Sequence, residues 1–168
     1  MSNCCYEDYP LWIVLLSNLL SISIYIIGAY IISGLGLIYS VIYLFYCLFL
    51  EIRILKISCT NCYYYGKACG FGKGKISALF FKKGDTSKFN EREINWKDMI
   101  PDMLIFIIPL IAGILILIYN FSWFILLLII ILLILSFAGN AIIRGFLTCK
   151  MCKQRESGCP AEKLFQKS

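Results

Sequence analysis

Two long apolar blocks, at residues 11–50 and 103–143, limit what this chain can fold into. Each block is about 40 residues long, twice the roughly 20 residues that an α-helix needs to cross a bilayer. Turn-forming residues interrupt the blocks near their middles, at 33–36 and 119–122. We therefore predict four membrane-spanning helices, at residues 11–31, 35–55, 101–119 and 122–147, because lipid offers an open strand no hydrogen-bond partner.

The composition agrees with lipid as the solvent. Hydrophobic residues make up 60% of the 168 residues and charged residues 15%, whereas ordinary soluble domains carry about 25% charged residues. The mean hydropathy is +0.80. The fold class that follows is an all-α membrane protein.

The charges predict the orientation of the four helices. Neither predicted turn at 31–36 or 119–122 contains a charge, so all 16 Lys and Arg residues fall on the other side of the membrane. By the positive-inside rule, both termini and the central loop are cytoplasmic, and the chain is a multi-pass protein of the cell membrane. We also expect no charged residue deep inside a span, which disfavours an ion or proton transporter.

The predicted organisation has five segments. They are a cytoplasmic N-terminus at 1–10, a hairpin at 11–55, a Cys- and Lys-rich loop at 56–100, a second hairpin at 101–147 and a Cys-rich tail at 148–168. We expect Pro101 and Asp102 in the first turn of the third helix and a kink at Pro109. Small residues that suit close helix packing are Gly28, Ala29, Ala112 and Gly113.

The cysteine spacing C-x2-C-x6-C occurs twice, each time after a predicted hairpin. The two sets are Cys59, Cys62 and Cys69, then Cys149, Cys152 and Cys159. We interpret each half as one copy of a tandem two-helix repeat followed by a cytoplasmic cysteine cluster. Two spans per copy give both copies the same orientation, which predicts that the clusters face each other beneath the bundle.

Metal binding is the main use that we predict for these thiols. The cytoplasm is reducing and disfavours structural disulfides, and C-x2-C lets two thiolates of one turn bind a soft ion. We expect the lysines around the clusters to lower the thiol pKa values and the glycines of 66–74 to let the backbone bend around a metal. Reversible acylation of the cysteines is an alternative.

The doubled C-x2-C-x6-C pattern resembles the binuclear zinc–cysteine cluster of fungal transcription factors. In that family six cysteines hold two zinc ions about a pseudo-two-fold axis. The resemblance implies that Cys59 and Cys149 bridge both ions, and that the terminal ligands are Cys62, Cys69, Cys152 and Cys159. It covers only residues 59–69 and 149–159, which 79 residues separate, and implies nothing about DNA binding.

Iron is the alternative metal. Cys159-Pro160 resembles the Cys-Pro that closes ferredoxin cluster motifs, and a chain without histidine suits iron–sulfur clusters as well as zinc. Two function classes therefore stay open. One is a non-catalytic membrane module with a structural or interaction role for zinc, and the other is an iron–sulfur or thiol-redox electron-transfer subunit.

No arrangement of residues indicates a catalytic site, so the residues favour a non-enzymatic role. Four-span protein palmitoyltransferases also carry a zinc-bound, cysteine-rich loop, but their catalytic motif needs histidines that this chain lacks. The partners that we predict are the bilayer and its anionic headgroups, together with a protein partner or a second copy of the chain. We assign the net charge of +6 to membrane orientation and not to nucleic-acid binding. Lysines around the apolar residues 76–81 predict a short amphipathic element on the membrane surface.

The predicted orientation has a direct test in intact cells. Cys59 and Cys149 should resist a membrane-impermeant maleimide added outside and react once the membrane is permeabilised. Labelling of either residue from outside would overturn the topology.

Overall fold

The computed structural model describes residues 5–91, 96–155 and 159. The bundle consists of four long helices: α1 (Leu11–Ser33), α2 (Leu37–Ile57), α5 (Trp96–Tyr119) and α6 (Trp123–Ile134). The last of these, α6, continues as a π-helix over Leu135–Cys149. Two short helices, α3 (Lys73–Phe80) and α4 (Thr86–Glu91), lie between α2 and α5, and 3₁₀ turns cover Cys59–Asn61 and Lys153–Arg155.

All four long helices are long and apolar enough to cross a membrane. The prediction of an all-helical chain with four such helices is therefore confirmed. Most of their large apolar side chains point away from the bundle, as in Leu15, Phe45 and Ile118, and lipid is the solvent that suits such a surface. The relation of the two hairpins as tandem repeats stays a prediction.

The core of the bundle lies where the four long helices meet. Leu20, Ile31 and Ile32 of α1 pack there with Ile129 and Leu132 of α6. The four predicted packing residues, Gly28, Ala29, Ala112 and Gly113, are all buried, so this prediction is confirmed. A side chain at Gly28 would meet the Tyr43 hydroxyl and the Pro109 ring.

The start predicted for the third helix is wrong. α5 begins at Trp96, so Pro101 and Asp102 lie inside the helix and not in its first turn. Pro109 is buried in the same helix and has no N–H to donate to the carbonyl four residues earlier. The Tyr43 hydroxyl donates to that carbonyl, on Ile105, at 2.8 Å. A tyrosine of α2 therefore completes a backbone bond that the proline of α5 removes.

The expectation that no charge lies deep in a span stays a prediction. Glu51, Asp102 and Arg144 lie within three of the four candidate spans, toward their ends. Each residue borders an apolar block in the sequence, and the helices continue past it. α2 extends to Ile57 and the π-helix extends to Cys149.

The loop between α2 and α5 folds back against the bundle. The Asn18 amide of α1 donates to the Phe71 carbonyl at 3.2 Å, and the Ser77 hydroxyl of α3 donates to the Leu55 carbonyl at 3.2 Å. These contacts place the loop beside the N-terminal half of α1 and the C-terminal end of α2. They fix the end of the bundle at which the cysteines lie.

Replacing Tyr43 should destabilise the bundle, because lipid cannot supply the donor that Ile105 loses. We expect Tyr43→Phe to lower the free energy of unfolding in mixed micelles by about 1–3 kcal/mol. Pro109→Ala restores an N–H to α5, so the double variant should lose less stability than the sum of the two single variants.

Tyr39→Phe is the matched control, because the Tyr39 side chain is exposed and its loss should change stability by less than about 0.5 kcal/mol. Equal unfolding free energies for Tyr43→Phe and Tyr39→Phe would contradict this account of α5.

Candidate functional site

Three segments that are distant in sequence meet at one end of the bundle. They are residues 5–10, residues 58–72 and residues 148–155, and we call this region the cysteine end. The Tyr6 N–H donates to the Met151 carbonyl at 3.0 Å, and the Tyr9 N–H donates to the Ala68 carbonyl at 2.9 Å. The N-terminal segment therefore contacts both the central loop and the tail.

Tyr64 connects all three segments. Its side chain is 2% exposed, and its hydroxyl donates to the Tyr6 carbonyl at 2.5 Å and accepts from the Lys153 N–H at 2.9 Å. Its ring packs edge-on against Tyr9, with the ring centroids 5.6 Å apart. The Tyr9 hydroxyl in turn donates to the Thr148 carbonyl at 2.6 Å. The burial of these two tyrosines holds the tail against the loop.

Gln154 forms the direct contact between the two cysteine clusters. Its side chain is 3% exposed. Its Oε1 accepts from the Tyr63 N–H at 2.6 Å and lies 3.6 Å from the Cys62 sulfur. Nearby, Gly70 lies so close to the Thr148 side chain that a Cβ at residue 70 would clash with it. The first cluster and the second cluster therefore share one interface, as the sequence predicted.

The six predicted ligands occupy different local structures. In the first cluster, Cys59 opens a 3₁₀ turn, Cys62 ends it and Cys69 lies in the loop that follows. In the second cluster, Cys149 ends the π-helix, and Cys152 pairs with Tyr6 in an isolated parallel bridge. None of the six is in a disulfide.

Electrostatic contacts link the thiols across the interface. Cys62 lies close enough to Cys69 and Cys159 for their charges to affect it. Cys152 is linked in the same way to Cys62, to Cys149 and to Cys159. Cys59 interacts with Cys62 and Cys69. The fold therefore brings all six sequence-predicted residues into one region.

Burial makes two of these thiols harder to deprotonate. It raises the pKa of Cys62 to about 11 and that of Cys152 to about 12, and neighbouring thiolates act in the same direction. The expectation that nearby lysines lower the thiol pKa values is therefore wrong for Cys62 and Cys152.

The lysines of the cysteine end have other partners. The Lys67 ammonium lies 4.7 Å from the centre of the Tyr63 ring and donates to the Tyr63 hydroxyl at 3.3 Å. The Lys153 ammonium pairs with Glu7 at 2.6 Å. An ammonium that is paired with a carboxylate or an aromatic ring stabilises its partner. It therefore does less to stabilise the thiolate form of a buried cysteine nearby.

Two glycines shape the loop of the first cluster, whereas a bend of this loop around a metal stays a prediction. Gly66 has φ 79° and Gly72 has φ 70°, a left-handed conformation that other residues rarely adopt. These two turns lie on either side of Cys69. They bring the Gly66 N–H to the Gly74 carbonyl at 3.1 Å, which closes the loop on itself.

Within the described residues, no three Cys, Asp or Glu side chains are gathered closely enough to hold a metal ion. The thiols lie in one region and influence one another electrostatically, but they would have to move closer together to bind a metal. Thiolate sulfur is the donor that zinc and iron–sulfur clusters prefer, so the chemistry of the donor set fits either metal. Parts of the predicted N-terminus, loop and tail (1–4, 92–95, 156–158 and 160–168) lie outside the described residues.

Tyr64 and Gln154 link the segments of the cysteine end, a role that the sequence did not assign to them. The run Tyr63-Tyr64-Tyr65 was a visible signal, but interfacial anchoring explains a tyrosine run equally well. No local pattern distinguishes Gln154, because its role depends on a partner that lies 91 residues away in the sequence.

No family model, curated protein or solved structure matches this chain. The likeness to the binuclear zinc–cysteine cluster is therefore a resemblance in spacing over two short stretches. Any function proposed for this chain therefore rests on the contacts between its own residues.

Removing the Tyr64 hydroxyl should loosen the cysteine end. Tyr64→Phe leaves the Tyr6 carbonyl and the Lys153 N–H without their buried partner. We expect amide hydrogen exchange over residues 5–9 and 148–155 to become about tenfold faster, which corresponds to about 1.4 kcal/mol.

Tyr65→Phe is the control, because the Tyr65 hydroxyl donates at 2.7 Å to Phe81 within the same loop. Its exchange over the two segments should equal that of the wild type. Equal exchange in both variants would show that Tyr64 does not hold the segments together.

Proposed function

We propose that this chain is a polytopic membrane protein whose cysteine end binds zinc in a structural or interaction role. The observation that carries the proposal is the shared interface of the two clusters at Gln154, with all six thiols in one region. The proposed ligands are Cys59, Cys62, Cys69, Cys149, Cys152 and Cys159. Zinc bound there would join the α2–α5 loop to the tail.

The protonation of the thiols supports coupling between binding and folding. Cys62 and Cys152 are buried with raised pKa values, so binding a metal would release protons. Uncharged buried thiols are tolerated as small apolar groups, so the cysteine end packs without a charge that needs compensation. The two clusters already meet at Gln154 without a metal. A bound metal would therefore add stability to a cysteine end that is folded without it.

An iron–sulfur or thiol-redox electron-transfer subunit is the second candidate. The absence of histidine from the chain suits it as well as zinc, because both iron–sulfur clusters and structural zinc sites can be held by cysteines alone. The same six cysteines would serve as ligands. The two candidates differ in the metal that the purified protein contains.

The orientation and partners are part of the proposal. We place both termini and the cysteine end in the cytoplasm. α3 exposes Leu79 and Phe80, with Lys82 and Lys83 exposed immediately after it. An apolar edge followed by lysines suits contact with anionic headgroups, because the apolar residues enter the interface and the ammonium groups face phosphates. A protein partner or a second copy of the chain would meet the same cytoplasmic face.

Metal analysis of the anaerobically purified full chain distinguishes the candidates. We expect colourless protein with about two zinc ions per chain, the number that the doubled cysteine spacing implies. Brown protein with iron and labile sulfide would favour the electron-transfer subunit. Protein without either metal would contradict the zinc role and the iron–sulfur role and leave only the thiol-redox role.

Variants then test the ligands. Cys62→Ser and Cys152→Ser should each lose most of the metal and retain the helical circular dichroism of the four long helices. Cys47→Ala is the control, because Cys47 is buried in the core of the bundle and should leave the metal content unchanged. Full metal content in both serine variants would exclude these ligands.

A further inference from the structure

A cavity of about 150 Å³ lies among the four long helices, separate from the cysteine clusters, and four charged residues line its largely apolar wall. All four long helices contribute to its wall, and α3 adds Lys73. The polar lining residues that matter most are Ser21, Glu51, Lys73, Asp102, Asn140 and Arg144. Its volume equals that of about five water molecules in the liquid.

The cavity lies at the depth of the membrane-spanning segments. At roughly 1.5 Å per residue, Ser21 is about 18 Å from Ser33 at the opposite end of α1, and Glu51 is about 21 Å from Leu37. Both distances are shorter than the roughly 30 Å of a hydrocarbon core. Charged residues at such a depth are costly, and they commonly mark a site of function.

Glu51 is fully partnered within the cavity wall. It accepts from the Tyr25 hydroxyl at 2.6 Å and forms a salt bridge with Lys73. This pair therefore neutralises itself. The remaining two charges of the lining, Asp102 and Arg144, decide what the cavity can bind.

Arg144 has unused hydrogen-bonding capacity. One terminal nitrogen donates to the Ser21 hydroxyl at 2.7 Å, and the guanidinium lies 5.4 Å from the centre of the Phe71 ring. Its Nε is buried without an acceptor, and two further buried polar atoms of the lining, Ser136 Oγ and Asn140 Oδ1, also have no partner. A partly buried guanidinium is costly unless its N–H groups find acceptors, and the Glu51 carboxylate, which interacts with it electrostatically, is already paired with Lys73.

Asp102 supplies the opposite charge at a distance; it lines the cavity and is also exposed at the surface of the bundle. Among the described residues it forms no salt bridge, although Arg53, Lys73 and Arg144 are close enough to affect it electrostatically. Asp102 and Arg144 therefore face a shared cavity as complementary charges that do not touch. A bound anion alone would leave Asp102 without a partner, and a bound cation alone would leave Arg144 without one.

We propose that this cavity binds a small zwitterion, with its carboxylate or phosphate on Arg144 and its ammonium on Asp102. Asn140 Oδ1 is a second acceptor for the ammonium, and Ser136 Oγ is a donor for the anionic group. The zwitterion has two sources, a free amino-acid-like solute or the headgroup of a phosphatidylethanolamine molecule. The inference is independent of the metal proposal, because it uses none of the six clustered cysteines.

Ligand specificity of the wild-type chain is the first test. Alanine and O-phosphoethanolamine should raise the unfolding temperature of the detergent-solubilised protein in a saturable way. Propionate, inorganic phosphate and ethylamine, which each carry one of the two charges, should bind at least tenfold more weakly. Nanodiscs of phosphatidylethanolamine should stabilise the protein relative to phosphatidylglycerol nanodiscs if the lipid headgroup is the source, and should abolish binding of the free zwitterions.

Charge-removing variants are the second test. Arg144→Gln and Asp102→Asn should each weaken zwitterion binding at least tenfold and leave the metal content unchanged. Lys56→Gln is the control, because Lys56 is exposed on α2 outside the cavity and should bind as the wild type does. Equal binding of single-charge ligands, no saturable binding in either the solute or the lipid arm, or wild-type binding by Arg144→Gln would overturn the proposal.

Discussion

Hydrocarbon offers no hydrogen-bond partner to a peptide group, and the rest of this structure depends on that constraint. It forces both apolar blocks into helices and requires a substitute donor wherever a helix loses an N–H. Pro109 removes one such donor from α5, and the Tyr43 hydroxyl of α2 replaces it at the Ile105 carbonyl. Gly28 leaves the space that the Tyr43 ring and Pro109 occupy.

Tyrosine hydroxyls that donate to carbonyls recur through the molecule. Tyr43 and Tyr46 join α2 to α5 in the bundle, and Tyr9 and Tyr64 join the N-terminal segment, loop and tail at the cysteine end. A tyrosine buries a large apolar ring and places one donor at a fixed distance. It therefore suits a small bundle of apolar helices, in which one side chain must both fill apolar space and donate a hydrogen bond to a backbone carbonyl. The structure explains Tyr64 as a link between segments and not as an interfacial anchor.

The cysteine end and the cavity among the four long helices are two separate regions of the bundle that gather reactive or charged side chains. The first gathers soft, uncharged thiols from the loop and the tail. The second places the charges of Asp102 and Arg144 inside the spans and leaves polar atoms of the π-helix without partners. π-Helical segments often occur at functional sites, and the one over Leu135–Cys149 connects the cavity to the second cysteine cluster. The proposed ligand site in the cavity and the proposed metal site at the cysteine end would therefore share one structural element.

The sequence by itself determined the four helices, their turns and the small residues that pack them, because the length of an apolar run and its turn residues are local properties. It also identified six cysteines whose regions converge, since the number of spans places both clusters at one end. Only the tertiary structure decided the thiol protonation, the role of Tyr64 and Gln154, and the charged cavity. Thiol pKa values depend on burial, and Gln154 acts on a backbone 91 residues away. Glu51, Asp102 and Arg144 border apolar runs in the sequence, and the structure places them in the wall of one cavity because the helices extend past them.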